Sequence, residues 1–246
     1  GTAAIGASLS GSSNKASLTV TASTPPPPTG VSITTWHVDN NRSGLNSNET
    51  TLTPTTVSST SFGKLYSYLV DGYVYGEPLF VSNLTVNGAK HNVLFAATEK
   101  DSVYAFDADS SSQTPLWKTS LLKSGENPLS NAVVQPWQGV TSTPVIDPNT
   151  NTMYVVSVQT TGCTGCGTFR LSAVDITTGA VKSAVTVTAS VPGTNKGGNG
   201  TTVTLTTSCV QRSALLLADG NVYIGIGSCS TGWLLAYSAS KIGRAS

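Results

Sequence analysis

The most reactive side chains in this sequence are four cysteines, Cys163, Cys166, Cys209 and Cys229. They lie among Gly, Ser and Thr in turn-prone stretches, and an even count beside one Met points to disulfides and an oxidising compartment. Four cysteines allow three connectivities. The expected one joins Cys163 to Cys166 within one loop, and Cys209 to Cys229 across a neighbouring segment. A CxxC can also act as a redox pair, but that chemistry calls for a helix N-terminus after a strand. Here Thr164-Gly165 stands between two strand patterns and suits a hairpin. A zinc site would need a second CxxC, which the chain lacks. His37 and His91 are the only histidines. Neither stands beside a Ser or Cys nucleophile motif, and no GxSxG occurs, so both read as surface or hydrogen-bonded structural residues. Glu99 and Asp101, with Lys100 between them, read as a solvated turn.

The elements that position these groups are short strands. In the stretch HNVLFAATEKDSVYAFDADSSSQTPLW, residues 91–117, apolar strands at 93–97 and 103–106 flank the charged turn 98–101, and a second turn leads to Trp117. The same figure returns at 143–146, 153–157 and 171–181, and again at 213–217, 222–225 and 233–238. Ala105, Ala173 and Ala236 occupy equivalent places, at steps of 68 and 63 residues. Recurrence at a near-constant step marks a repeat architecture. A four-stranded sheet cannot bury both faces alone, so consecutive sheets must stack about a common axis. Tyr104 and Phe106 are expected in the layer between blades, with Trp117 and Val181 closing the outer edge. Asp107 and Asp175 should accept backbone N–H groups from the turns that follow them.

Composition agrees with an all-β chain. Charged residues make up 10%, against an average near 25%, and β-branched residues are frequent. The net charge is +1 with no basic stripe, which excludes a nucleic-acid partner of the usual electrostatic kind. No apolar run reaches the ~20 residues of a membrane-spanning helix.

Residues 1–22 read as two alternating strands about a Gly-Ser-Ser-Asn turn. Their Gly-Thr-Ala opening and Leu-Thr-Val-Thr ending resemble the C-terminal hairpin of a bacterial immunoglobulin-like domain. Residues 23–30, with four consecutive prolines, form a polyproline linker. In the following module, 31–246, an outer strand is expected at 64–70 and another at 73–80. The order Trp36, Asp39-Asn40, Arg42, Gly44, Leu52-Thr53 and Phe62-Gly63-Lys64-Leu65 resembles the lead-in of pyrroloquinoline quinone (PQQ) repeat propellers. The pattern Val103-Tyr104-Ala105-Phe106-Asp107-Ala108 followed by Leu116-Trp117 resembles their blade repeat. The resemblance covers roughly residues 34–240. It implies an all-β, partial β-propeller of about three blades, with the remaining blades or domains in a longer natural chain.

In that topology the entrances of the inner strands share one face, which makes Glu77, Gln138, Gln211 and Arg212 candidate ligand contacts and places all four cysteines nearby. The family's dehydrogenases carry a cofactor-binding glutamate three residues before the first blade's Pro-Leu/Val, and a pair of adjacent cysteines in the second blade. Here Tyr75 occupies the first position, and there is no Cys-Cys. The reading is therefore a non-catalytic binding or structural module of the bacterial envelope or cell surface, with no resident cofactor and a cell-surface or small-molecule ligand. The alternative is a quinoprotein dehydrogenase fragment using PQQ and Ca2+ to oxidise an alcohol or sugar.

Overall fold

The computed structural model describes residues 30–58, 60, 62–130, 134–162, 166–194, 200–229 and 231–242. The chain divides into two compact units, Gly1–Gly30 and Val31–Ser246. The hairpin of residues 1–22 and the linker up to residue 29 lie outside the described residues, as does Cys163 of the expected local disulfide.

The described part of the second unit is all-β and builds a partial propeller from successive antiparallel sheets. The first sheet is a four-stranded meander of β1 (Leu79–Val86), β2 (Ala89–Ala97), β3 (Ser102–Asp107) and β4 (Trp117–Ser120). Next come β5 (Asn127–Ser130), β6 (Trp137–Gln138), β7 (Val145–Asp147), β8 (Thr152–Thr160), β9 (Gly167–Asp175) and β10 (Val181–Val187), which make a second sheet. Its inner position is divided: β7 pairs with one end of β8 and β5 with the other. A separate hairpin, β11 (Ser190–Pro192) with β12 (Thr202–Thr204), precedes the third sheet of β13 (Leu216–Ala218), β14 (Asn221–Ile226) and β15 (Trp233–Ser238).

Period-two alternation decides which face meets which neighbour. Along β8, Met153 and Val155 point to the first sheet and join Val93, Phe95, Val103, Ala105 and Ile176 in one apolar cluster. Tyr154, Val156 and Val158 point the other way and join Phe169, Leu171, Val222, Ile224 and Ile226 in a second. Each fully buried aliphatic side chain contributes roughly 1.5–3 kcal/mol, so the two seams, not the hydrogen-bonded ladders alone, hold the sheets together. In β1 the pairing slips by one residue between Val81 and Leu84. This bulge, with Asn83 at φ 55°, returns Leu84 and Val86 to the face already used by Leu79 and Val81.

The structure corrects several expectations. Residues 64–70 are not a strand, and the next strand begins at Leu79 rather than residue 73. The 64–70 segment instead lies over the first sheet's free face. Tyr68 stacks on Phe106 with ring centroids 4.6 Å apart, and its hydroxyl donates to the carbonyls of Asp107 and Ser110. The Gln113 side chain donates to Ser67 O and accepts Leu69 N–H, taking backbone groups that a strand ladder would need. Tyr104 and Phe106 therefore face this segment, not the second sheet, because they alternate with Val103 and Ala105, which occupy the seam. Trp117 opens the outer strand but turns into the seam, donating its indole N–H to Ile176 O at 3.0 Å. Val181 opens β10 in an exposed position.

The repeated aspartates do act on their turns. Asp107 Oδ1 accepts the N–H of Asp109, and Asp175 Oδ1 accepts the N–H of Thr177. His91 is hydrogen-bonded to Asp107 at 2.9 Å. Cys209 and Cys229 form the expected disulfide.

Candidate functional site

The inner-strand entrances meet a common element, the lead-in segment 33–44. Ile33 exchanges backbone hydrogen bonds with Phe80 at the first sheet, and Thr34 O accepts Ile146 N–H at the second. At the third, Asn40 Nδ2 donates to Leu217 O and Arg42 Nη2 donates to Leu215 O. One short segment thus touches the inner strands of all three sheets.

Its tip is a tight, strained loop. His37, Val38 and Arg42 have φ of 56°, 74° and 58°, a region that costs a β-branched residue such as Val38 of order 1–3 kcal/mol. Several bonds hold it there. Gly44 N–H and Asp39 N–H both reach His37 O, and the exposed Asp39 carboxylate accepts the N–H and O–H of Ser43, which lower its pKa. Arg42 Nη1 donates to Thr35 Oγ1 at 2.7 Å and Trp36 O at 2.9 Å. Trp36 stacks on His37 with centroids 3.8 Å apart.

Beside this loop the chain encloses a cleft of about 520 Å³. Trp36 and Arg42 enter it from the lead-in, Tyr75, Gly76 and Glu77 from the approach to β1, Thr141 and Thr143 from the approach to β7, and Arg212 and Ser213 from the approach to β13. Close backbone approach assembles it: a Cβ on Gly76 would stand 2.7 Å from Ser142 O. Glu77 accepts His37 N–H at 3.1 Å through Oε2, and its own N–H donates to Thr143 Oγ1 at 2.8 Å. Arg212 is exposed, and among the described residues its guanidinium meets no hydrogen-bond or ion-pair partner.

Of the four residues proposed from sequence, the structure brings Glu77 and Arg212 to the cleft. Gln138 and Gln211 are buried away from it and serve loop backbone, Gln138 Nε2 donating to Cys209 O and Gln211 Nε2 to Ser213 O. Sequence reasoning missed Trp36, Arg42, Tyr75, Thr141, Thr143 and Ser213 as lining residues. Trp36 and Arg42 did stand in the lead-in singled out by the resemblance, and Tyr75 in the inner-strand entrance that supplied Glu77.

Behind the cleft lies the largest departure from expectation. Glu99 and Asp101, read as a solvated turn, are both 0% exposed. Three segments far apart in sequence close over the turn: Tyr73 O accepts Glu99 N–H, Val140 N–H reaches Thr98 O, and Leu121 N–H reaches Asp101 O. Lys100, the middle residue, lies over the Trp137 ring at 4.6 Å. Gly139 is required here, because a Cβ would fall 2.2 Å from Glu99 O. Glu99 Oε2 accepts Gly139 N–H and the Thr141 hydroxyl, while Oε1 has no partner. Burial pushes the Glu99 pKa up, against the pull of these bonds and of the Arg212 charge. Burial raises Asp101 further, opposed by Val158 N–H and reinforced by the Glu99 charge. Across the seam, Arg170 makes a two-pronged ion pair with Glu126 and also donates to Leu121 O. Asp71 shows the opposite balance: burial disfavours its charge, but bonds from Ser102, Lys118 and Thr98 prevail and lower its pKa.

Among the described residues, no three or more His, Cys, Asp or Glu side chains converge to hold a metal ion, and no helix is long and apolar enough to cross a membrane. No family model matches the chain, and no curated protein does. Among solved structures it is similar to a quinohemoprotein alcohol dehydrogenase from Pseudomonas putida, at 13% identity and a TM-score of 0.38, over 67% of this chain and 29% of that one. The chain therefore spans less than a third of that enzyme's length.

Proposed function

We propose that this chain is a non-catalytic binding module of an exported bacterial protein, and that its ligand is a small polar molecule held in the cleft at the inner-strand entrances. One observation carries this reading: segments around residues 36, 75, 141 and 212 converge on a single cleft with an unpartnered guanidinium at its wall. A strained loop anchored on all three sheets supports it, because strain of that kind concentrates at ligand sites. Cys209–Cys229 supports an oxidising, non-cytoplasmic compartment.

The second reading is a PQQ-dependent dehydrogenase, favoured by the propeller architecture and by two arginines facing one cleft. PQQ would supply the redox chemistry, with Ca2+ as its partner ion. The residues present fit that pair poorly. Tyr75 stands where the resemblance calls for a cofactor-binding glutamate, and apart from Glu77 the side-chain oxygen donors around the cleft are hydroxyls rather than the clustered acids that Ca2+ prefers. No catalytic step is therefore derived through the group.

Two measurements separate the readings. Addition of PQQ and Ca2+ should give no dye-linked oxidation of alcohols or sugars above background; turnover abolished by Arg212→Ala would establish the enzyme reading. A screen of small polar ligands by calorimetry should yield binders lost in Trp36→Ala.

A further inference from the structure

The charges and hydroxyls in the cleft restrict what can enter it. Two guanidinium groups, Arg42 and Arg212, and one carboxylate, Glu77, line the wall, leaving one positive charge. Arg42 is committed to the fold: it donates to Thr35, Trp36 and Leu215, and its charge is shared with the carboxylates of Asp39 and Glu77. Arg212 feels the buried Glu99 behind the cleft only at a distance, and among the described residues its fork of donors has no hydrogen-bond partner, which is the geometry that takes a carboxylate through two parallel hydrogen bonds. Glu77 imposes the opposite demand. Its Oε2 already accepts His37 N–H, and the carboxylate retains acceptor capacity for hydroxyl donors while repelling a second anion. Thr143 Oγ1 accepts the Glu77 N–H, so its own hydrogen is free to donate. The exposed ring of Tyr75 adds a flat apolar surface to the same cleft.

We infer that the cleft binds a hydroxylated ring bearing a single carboxylate, a uronic-acid sugar, with the carboxylate on Arg212, hydroxyls on Glu77 and Thr143, and the ring against Tyr75. This assignment rests on the binding-module reading. A polycarboxylate would set an anion against Glu77, and a neutral sugar would leave Arg212 unused. A flat aromatic acid would satisfy Arg212 and Tyr75 but give Glu77 nothing to accept.

The test is a titration of the 246-residue chain with sodium glucuronate, its uncharged methyl ester, glucose and benzoate, by calorimetry and tryptophan fluorescence. Glucuronate should bind about tenfold or more tighter than the ester or glucose, as an added charge-assisted hydrogen-bonded pair implies. Arg212→Gln should bring glucuronate down to the ester's affinity and leave the ester unchanged. Glu77→Gln should weaken glucuronate and glucose together. Retained thermal midpoints would show that these exposed or half-exposed substitutions do not act through unfolding. Equal binding of acid and ester, sensitive to Trp36→Ala, would overturn the uronate assignment while leaving a ligand cleft. Benzoate as tight as glucuronate would overturn the sugar component. No binding by any probe would overturn the uronate assignment, and binders from the wider screen lost in Trp36→Ala would then keep the cleft reading alone.

Discussion

Substituting Asp101→Asn should flatten this protein's loss of stability as pH rises. Asp101 is fully buried, its Oδ1 accepts Val158 N–H at 3.3 Å, and its Oδ2 has no partner. Burial raises its pKa well above the 3.8 of a free aspartate, so the folded chain holds a proton that the unfolded chain releases. A raised folded pKa gives stability that is fully present below about pH 4 and lost as pH rises through the folded value. For one proton the slope is about 1.4 kcal/mol per pH unit, which in a domain of this size shifts Tm by roughly 3–6 °C per unit. Glu99 is raised too and its charge acts on Asp101, so the two titrate as a pair. Groups with lowered pKa values, Asp71, Glu126 and Asp175, act in the other direction. Their stabilisation is present above about pH 4 and disappears as pH falls further. The window from about pH 4.5 to 8 lies above the range of those groups, and within it the difference between variant and wild type reports Asp101. Thermal melts across it should show wild type losing stability as pH rises, and Asp101→Asn losing less, so that the variant gains on wild type with each unit. Parallel curves would refute the reasoning, since they would mean that Asp101 is ionised in the fold throughout.

Gly139→Ala places a Cβ against Glu99 backbone and disturbs the N–H that Glu99 accepts. The cost should be roughly 2–5 kcal/mol, read as a lower urea midpoint, whereas Gly88→Ala, with open space around it but φ 82°, should cost about 1 kcal/mol. Replacing both Cys209 and Cys229 with Ser removes a link across 20 residues and should destabilise by about 3 kcal/mol on the loop-entropy account; an unchanged melt under reducing and non-reducing conditions would contradict it. Arg170→Ala strands Glu126 beside the seam and should cost about 3–5 kcal/mol, with Glu126→Gln in the same background recovering part of the loss. Tyr68→Ala should expose Phe106 and increase dye binding to apolar surface while sparing the two inter-sheet seams.

How much could be foreseen divides along the range of the forces involved. Strand periodicity is local, so the pairs 93–97 with 103–106 and 222–225 with 233–238 were legible from apolar alternation. The Asx turns at Asp107 and Asp175 were legible for the same reason, because a carboxylate two residues from an N–H needs no distant partner. The segment 64–70 misled because its Tyr and Leu content suits a strand, yet a strand needs a ladder partner. Tyr68 and Gln113 supplied side-chain bonds instead.

What the sequence by itself determined, then, is an all-β chain of thin sheets that must lean on one another, with cysteines suited to disulfides; the pairing of Cys209 with Cys229 was one of three connectivities until the fold brought the two together. Tertiary structure alone decided that Glu99-Lys100-Asp101, polar in every letter, is sealed by segments from residues 73, 121 and 139. It also decided that Trp36, Tyr75, Thr141 and Arg212 face one cleft. Burial and convergence are sums over contacts between residues far apart in the chain, and no local spacing encodes them.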